Sequence, residues 1–434
     1  MNQNNVAKSV DYNNVYNEVQ NLKEYFIHKW WYTSNDFPKL HNKTSYSYKK
    51  RKEKEFNIFI NDFINLIKQY PKDENNRKIW KVNANNLIDN FIINSDLTCM
   101  EDKNLLLNTD LLQISEDFVA RAKSFDSSID IEDIGQAMRN VWIINIIQLL
   151  LNKKIALTPS AFGYSMLYPY TDNYLDDKNI SKEEKLIISD RFKKRLEGFN
   201  IEPESEYERM IFQLVGIIES EYHRKTYPMV FESLLSMHNA QMKSLKQQGE
   251  KTGPYEQDIL GISIEKGGIS VLADAYLVNG RLTYKEASFF FGYGVLLQIC
   301  DDLQDAENDY KNVHMTIVSQ LVEKWPLDKI TNKLINFTFD IIDNELCLNC
   351  TNKYQIKELI RKNCLQLILF AVAKNKRLYT KRYFKTINDY FPFTQRYMLS
   401  IYKKLTKKLT QLEDSYNGTK TEKIIMNALL KNDS

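Results

Sequence analysis

The sequence predicts an all-α protein, and three observations carry that expectation. Glycine (13) and proline (9) are scarce in a chain of 434 residues, which favours long helices over turn-rich β architecture. Tyr207, Met210, Ile211, Leu214, Val215, Ile218 and Tyr222 recur at three- and four-residue steps, the period of one helix face. No alternating strand run bounded by hairpin turns is evident, and no internal repeat.

Residues 1–55 are polar, studded with aromatics and close on the basic run Lys49-Lys50-Arg51-Lys52, so they read as an N-terminal extension. Residues 56–434 read as a single α-helical domain with enough chain to bury a large core. The most apolar run, Val141 to Leu151, is too short to span a bilayer and contains Asn145 and Gln148, so it is expected to be a buried core helix. Thr158-Pro159 has the form of an N-cap with proline in the first turn. The helix it opens is expected to reach about Asn179, with a kink at Pro169. Pro228 separates the Tyr207–Tyr222 helix from a second through Leu234, Leu235 and Met242, and another helix is expected from Tyr284 to Tyr310. The pair Gly267-Gly268 suggests a helix break with close backbone approach.

Lysine plus arginine (59) nearly balance aspartate plus glutamate (56), so no global field points to nucleic acid or membrane. Five cysteines, and an N-terminus without the apolar stretch of an export signal, lead to the expectation of reduced thiols in a cytoplasmic protein. Cys347-x-x-Cys350 lacks the two further ligands of a structural zinc site. The basic stretch Lys374–Lys385 reads as a solvated helix face rather than a nucleic-acid surface.

Two acidic clusters carry the chemistry. In Asp172-Asn173-Tyr174-Leu175-Asp176-Asp177, Asp172 and Asp176 share a helix face, with Asp177 beside them. Like charges at that spacing, near a helix C-terminus, call for a compensating cation. The second cluster, Asp301-Asp302-Leu303-Gln304-Asp305, continues to Asp309, so Asp301, Asp305 and Asp309 form an i, i+4, i+8 stripe. It grows out of the apolar run Phe289–Leu297, which suits carboxylates at the rim of a pocket. Carboxylates of this kind bind hard cations, and Mg²⁺ fills its remaining sites with water and substrate phosphate. Facing clusters could therefore hold Mg²⁺ around a diphosphate and promote its departure. The carbocation left behind needs a dry, aromatic-lined cavity, and the chain has 26 Tyr and 22 Phe. Candidate diphosphate contacts are Arg139, bordering the apolar helix, together with Arg224, Lys266 and Tyr310.

With these residues in view, the sequence resembles the isoprenoid synthase superfamily. Leu297–Asp305 resembles the second aspartate-rich motif of trans-prenyl diphosphate synthases, and Lys266-Gly267-Gly268 their diphosphate-contacting lysine segment. Asp172-x-x-x-Asp176-Asp177 resembles the first motif of squalene and phytoene synthases. The nearest likeness is to large-terpene synthases (class IB, tetraprenyl-β-curcumene synthase-like), over roughly residues 118–310. It rests on Gln136–Trp142, Thr158–Asp177, Tyr222–Tyr227, Ser233–Gln247 and Lys266–Asp305. The resemblance implies a helical bundle of isoprenoid synthase type around a central cavity, with Mg²⁺ as cofactor. It also implies ionisation of a linear prenyl diphosphate, then cyclisation or elimination. In that reading Asp172, Asp176, Asp301 and Asp305 are catalytic, and with Asp177 and Asp302 they hold the metal. The expected partner is the substrate, with no nucleic acid; a peripheral membrane contact for apolar substrate or product and a homodimer are left open. The second cluster is richer in aspartate than a cyclase leads one to expect, which keeps open a prenyltransferase or head-to-head condensing enzyme. A helical protein binding nucleic acid or a partner is the non-enzymatic alternative.

Overall fold

The computed structural model describes residues 14–41, 43–94, 111–177, 179–249, 256–345, 353–421, 424–425 and 428. Cys347 and Cys350 lie outside them; Cys300 and Cys364 are buried free thiols. The described chain is mostly helical, as expected. The first helices are α1 (Asn14–Tyr32), α2 (Tyr46–Lys68), α3 (Glu74–Asn94), α4 (Leu111–Phe125), α5 (Ile131–Leu150) and α6 (Pro159–Asp176). Next come α7 (Lys182–Glu197), α8 (Glu206–Glu221), α9 (Pro228–Ser244), α10 (Ile259–Asn279), α11 (Tyr284–Gln304) and α12 (Ala306–Lys311). The last are α13 (Asp328–Asp340), α14 (Lys353–Lys374), α15 (Lys381–Ile387) and α16 (Gln395–Leu409). Among the described residues the strands are two, Ser415–Tyr416 and Thr419–Lys420, paired antiparallel across Asn417-Gly418. Both turn residues have positive φ, which the Asn-Gly pair tolerates. No helix among the described residues is long and apolar enough to cross a membrane.

Local chemistry sets several helix ends. Thr158 caps α6 by accepting from the Ala161 N–H at 3.2 Å, with Pro159 in the first turn, and Pro169 is carried inside the helix. Ser181 and Thr283 form reciprocal capping boxes with Glu184 and Glu286 at the starts of α7 and α11. The helix expected over residues 284–310 is interrupted at Asp305. The buried Asn375 amide donates to the carbonyls of Leu303 (2.8 Å) and Gln304 (3.1 Å), taking acceptors at the end of α11. A side chain inserted this way is a recognised cause of a helix break.

The N-terminal segment is not a loose extension. Val15, Val19, Leu22, Phe26 and Trp30, one face of α1, are buried in the main core, and Phe26 stacks on Phe291 of α11 at 5.7 Å. A boundary after residue 55 also falls within α2, whose basic run is largely satisfied locally. Lys49 reaches the Asn388 carbonyl, Lys50 pairs with Glu53 at 2.8 Å and Lys52 with Glu55 at 3.1 Å. A second, smaller core joins α2 and α3 to the C-terminal segment through Ile64, Ile67, Tyr70, Trp80, Leu412 and Ile424.

At the centre, α10 and α11 form an antiparallel hairpin, α10 being closed by Gly280 in the left-handed conformation. Gly267 and Gly268 do not break α10, contrary to the sequence expectation. They let two backbones meet: a Cβ on Gly294 would lie 2.1 Å from the Gly267 carbonyl oxygen, and one on Gly268 would lie 2.3 Å from the Phe291 ring. The glycines forgo helix propensity, and the close crossing offsets that loss. Gly294→Ala should therefore destabilise the protein by about 2 kcal/mol or more, the scale of overpacking against an unyielding backbone. Gly135→Ala, on exposed helix surface with nothing within 4 Å of the new Cβ, should stabilise by about 0.5–1 kcal/mol through propensity alone. Urea melts of the two variants should move in opposite directions; equal shifts would contradict the close crossing.

Candidate active site

A cleft opens between α6, α7, α8 and α9. Its accessible volume is about 70 Å³, and its whole empty space, including the open mouth, about 710 Å³. Each helix contributes one face at helical spacing: Tyr164, Leu167, Tyr168 and Asp172 from α6, Ile188, Ser189, Phe192 and Leu196 from α7. Tyr207 and Ile211 come from α8, and Leu234, Met237, His238 and Gln241 from α9. The wall is apolar and aromatic, with Tyr174 stacked on Tyr207 at 4.4 Å. Among the described residues Asp172 is the one carboxylate lining it, 9% exposed, and is bonded by the Tyr168 hydroxyl.

The α11 carboxylates come close to this wall. Burial, then the charges of Asp172 and Asp301, raise the Tyr168 hydroxyl above its usual range, while Arg139 pulls it down, so all three groups act on one phenol. Asp301 is open to solvent on one side and crowded on the others. Its carboxyl is raised first by that crowding and then by Asp305 and Asp309, with Lys266 and Arg139 opposing. Asp302 is buried, accepts from Gln298 at 3.0 Å, and has its Oδ2 without a hydrogen-bond partner. Burial pushes it up to about 7. Lys266, half-buried on α10 one residue before the glycine crossing, has no direct ion pair or hydrogen bond among the described residues, and neither does Arg139 on α5. The structure thus brings Asp172, Asp301, Asp302, Arg139 and Lys266 into one electrostatic neighbourhood that includes Tyr168. Among the described residues no three His, Cys, Asp or Glu side chains form a ready metal cage.

Other expected site residues are placed differently. Arg224 requires correction: its guanidinium holds the fold instead of facing the carboxylates. It donates to the carbonyls of Leu196 (2.5 Å) and Arg195 (3.2 Å) and to Glu219 (2.7 Å), and stacks over Phe231 at 3.9 Å. These are the carbonyls that the end of α7 leaves without helical partners, where a cation is favoured. Tyr310 likewise turns its hydroxyl to Glu323 at 2.7 Å, on exposed surface. Asp177 leaves the helix and accepts from the Asn179 backbone and side-chain amides at 2.8 and 2.9 Å. Asp305 pairs with Lys374 at 2.8 Å. The Asp176 backbone closes α6, and its side chain lies outside the described residues.

Comparison with protein-family models, with curated proteins and with solved structures finds no match to this chain. The chemistry rests on the residues themselves: a charged mouth of carboxylates and two cations beside an aromatic, apolar cleft. Several contributors were not singled out from the sequence. Tyr168 stands one helical turn before Asp172, a spacing that could have revealed it. Lys374 and Asn375 belong to the discounted basic stretch, and nothing local marks their contact with Asp305 and α11. Asp274, 1% exposed on α10, accepts from Asn140 at 3.1 Å, and burial raises its carboxyl well above the usual range. A lone aspartate in an apolar helix gives no hint of that asparagine partner.

The revised place of Arg224 has a measurable consequence. Arg224→Ala should cost about 1–3 kcal/mol in urea melts, because part-buried carbonyls and Glu219 lose charge-assisted donors. Arg224→Lys should recover only part of this, since an ammonium cannot span two carbonyls and a carboxylate with a planar fork. An Arg224→Ala protein as stable as wild type would contradict the helix-end role.

Proposed function

We propose that the protein ionises a linear prenyl diphosphate with Mg²⁺, and that the hydrocarbon then cyclises or eliminates in the cleft. The observation carrying this reading is the polarity of one site: Asp172 lines an aromatic cleft and shares with Asp301 the charged neighbourhood of Lys266 and Arg139. An amphiphile with an anionic head and a long apolar tail matches that division.

The donor set fits a hard cation. The acidic side chains of the neighbourhood offer oxygen ligands, Asp301 is open to solvent, and the buried Asp302 Oδ2 has no partner. Mg²⁺ asks for only one or two protein carboxylates, so a preformed cage is not required. Asp172 and Asp301 would hold it from facing helices, with Asp302 behind Asp301. When bound, Mg²⁺ would neutralise charge on the departing diphosphate.

Lys266 and Arg139 supply fixed positive charge for diphosphate oxygens, as an ammonium point charge and a planar fork. Their lack of direct partners leaves them available at little cost. Tyr164, Tyr168, Tyr174, Tyr207 and Phe192 exclude water from the cleft and offer π faces to a cation. The cleft's accessible volume of about 70 Å³ is far below that of a pocket that buries a ligand of this size, so a prenyl tail must enter through the open mouth and part the wall. The acidic stripe continuing to Asp305 and Asp309 favours, as the second reading, a prenyltransferase that joins two isoprenoid units.

The test is diphosphate release and product analysis with geranyl, farnesyl and geranylgeranyl diphosphates, with and without isopentenyl diphosphate. Turnover should require Mg²⁺, and Asp172→Asn and Asp301→Asn should each lower it about a hundredfold, the scale of one lost transition-state contact. Helicity should be retained. Undiminished turnover after chelation would rule out the metal-dependent reading, and a lengthened diphosphate product would favour the prenyltransferase.

A further inference from the structure

We infer that His238 is the proton acceptor that ends the reaction in the cleft, converting the carbocation to a neutral olefin, and that Ser189 is its positioning residue. The inference rests on the ionisation reading above and adds to it the fate of the cation.

His238 lies on α9 in the cleft wall and forms, with Leu234, Met237 and Gln241, the face that α9 turns to the cavity. Its Nε2 is 3.1 Å from the Ser189 hydroxyl of α7, and that hydroxyl is 2.9 Å from the Met242 sulfur. A thioether sulfur only accepts, and a serine hydroxyl has one proton. We assign the Ser189 proton to Met242 and the Nε2–H tautomer to His238, so that Ser189 accepts from the imidazole. Nδ1 keeps its lone pair and has no hydrogen-bond partner among the described residues. The Phe192 ring, 5.4 Å away edge-on, holds the imidazole in place.

The surrounding charges suit this role. Burial, with Lys193 on the same side of the balance and Asp190 against it, brings the imidazole down to about 4, so it is neutral at pH 7 and does not repel a cation. The other polar groups of the wall serve less well: tyrosine and threonine hydroxyls and the Gln241 amide oxygen are weak bases, a lysine ammonium such as that of Lys185 has no acceptor, and Asp172 is committed to the head group. The step balances internally. A C–H bond adjacent to the cationic carbon breaks, its electron pair becomes the new C=C π bond, and the proton moves to His238 Nδ1. The imidazolium, made more acidic by its burial, then passes that proton readily to the released diphosphate or to water.

The experiment compares wild type, His238→Phe and Ser189→Ala with Mg²⁺ and the three allylic diphosphates, measuring released diphosphate, products by mass spectrometry, and helicity. In wild type the olefin should account for most of the released diphosphate. In His238→Phe the ratio of olefin to diphosphate should fall at least tenfold, with water-quenched alcohols replacing the olefin; in Ser189→Ala it should fall by a smaller factor. His238→Gln, tested by the same ratio, serves if the phenylalanine variant loses helicity. An unchanged ratio in a folded His238 variant overturns the assignment, as does loss of diphosphate release alongside the olefin. A wild-type product that is an alcohol overturns it while leaving ionisation standing. Absence of diphosphate release from wild type overturns the ionisation reading, and this assignment with it.

Discussion

The contact on which the site depends most is the backbone meeting of Gly267 on α10 with Gly294 on α11. Their close approach lets two long helices lie side by side without side chains between them. Lys266 precedes the contact and Asp301 follows it by two turns along the antiparallel partner. A wider crossing would separate the lysine from the carboxylate it now influences. The same hairpin is braced from behind. Glu265, buried, is held below the usual carboxylate range, in spite of its burial, by Lys243 of α9 and Lys23 of α1. Adjacent residues on α10 therefore divide the work: Glu265 ties the helix to its neighbours, and Lys266 faces the carboxylates of α11.

Around that hairpin, charge and apolar surface are segregated. Carboxylates and cations gather where α5, α6, α10 and α11 approach one another, while the wall of α6 to α9 below Asp172 is mainly aromatic and aliphatic, with Ser189, His238 and Gln241 among its polar groups. Arg224 contributes indirectly. By binding the last carbonyls of α7 it fixes the helix that supplies Ile188, Ser189, Phe192 and Leu196 to the cleft. Its position in the turn between α8 and α9 joins three of the four wall helices.

The helical class, the Thr158 cap and the proline within α6 were legible from spacing and side-chain chemistry, because each depends on neighbours a few residues apart. What was not legible depends on distant partners. Gly267-Gly268 looks like a break until Gly294 and Phe291 are seen to need the space. Arg224 looks available until the last carbonyls of α7, those of Arg195 and Leu196, are seen to accept from it. The 284–310 helix looks continuous until Asn375, from the start of a different element, takes its carbonyls. Residues 14–32 look peripheral because α1 is rich in polar groups, yet one narrow stripe from Val15 to Trp30 enters the core.

The central claim is that the mouth of the cleft binds a diphosphate through Lys266 and a metal held by the aspartates. Calorimetric titration of the wild-type protein with inorganic diphosphate, with and without Mg²⁺, tests it without requiring the right hydrocarbon. Binding should need Mg²⁺. Lys266→Ala should weaken it at least tenfold, about 1.4 kcal/mol and the lower range for a charge-assisted bond, whereas Arg224→Ala should bind as wild type once its lower stability is allowed for. Equal affinity of Lys266→Ala and wild type, or no Mg²⁺-dependent binding to wild type at all, would contradict the account.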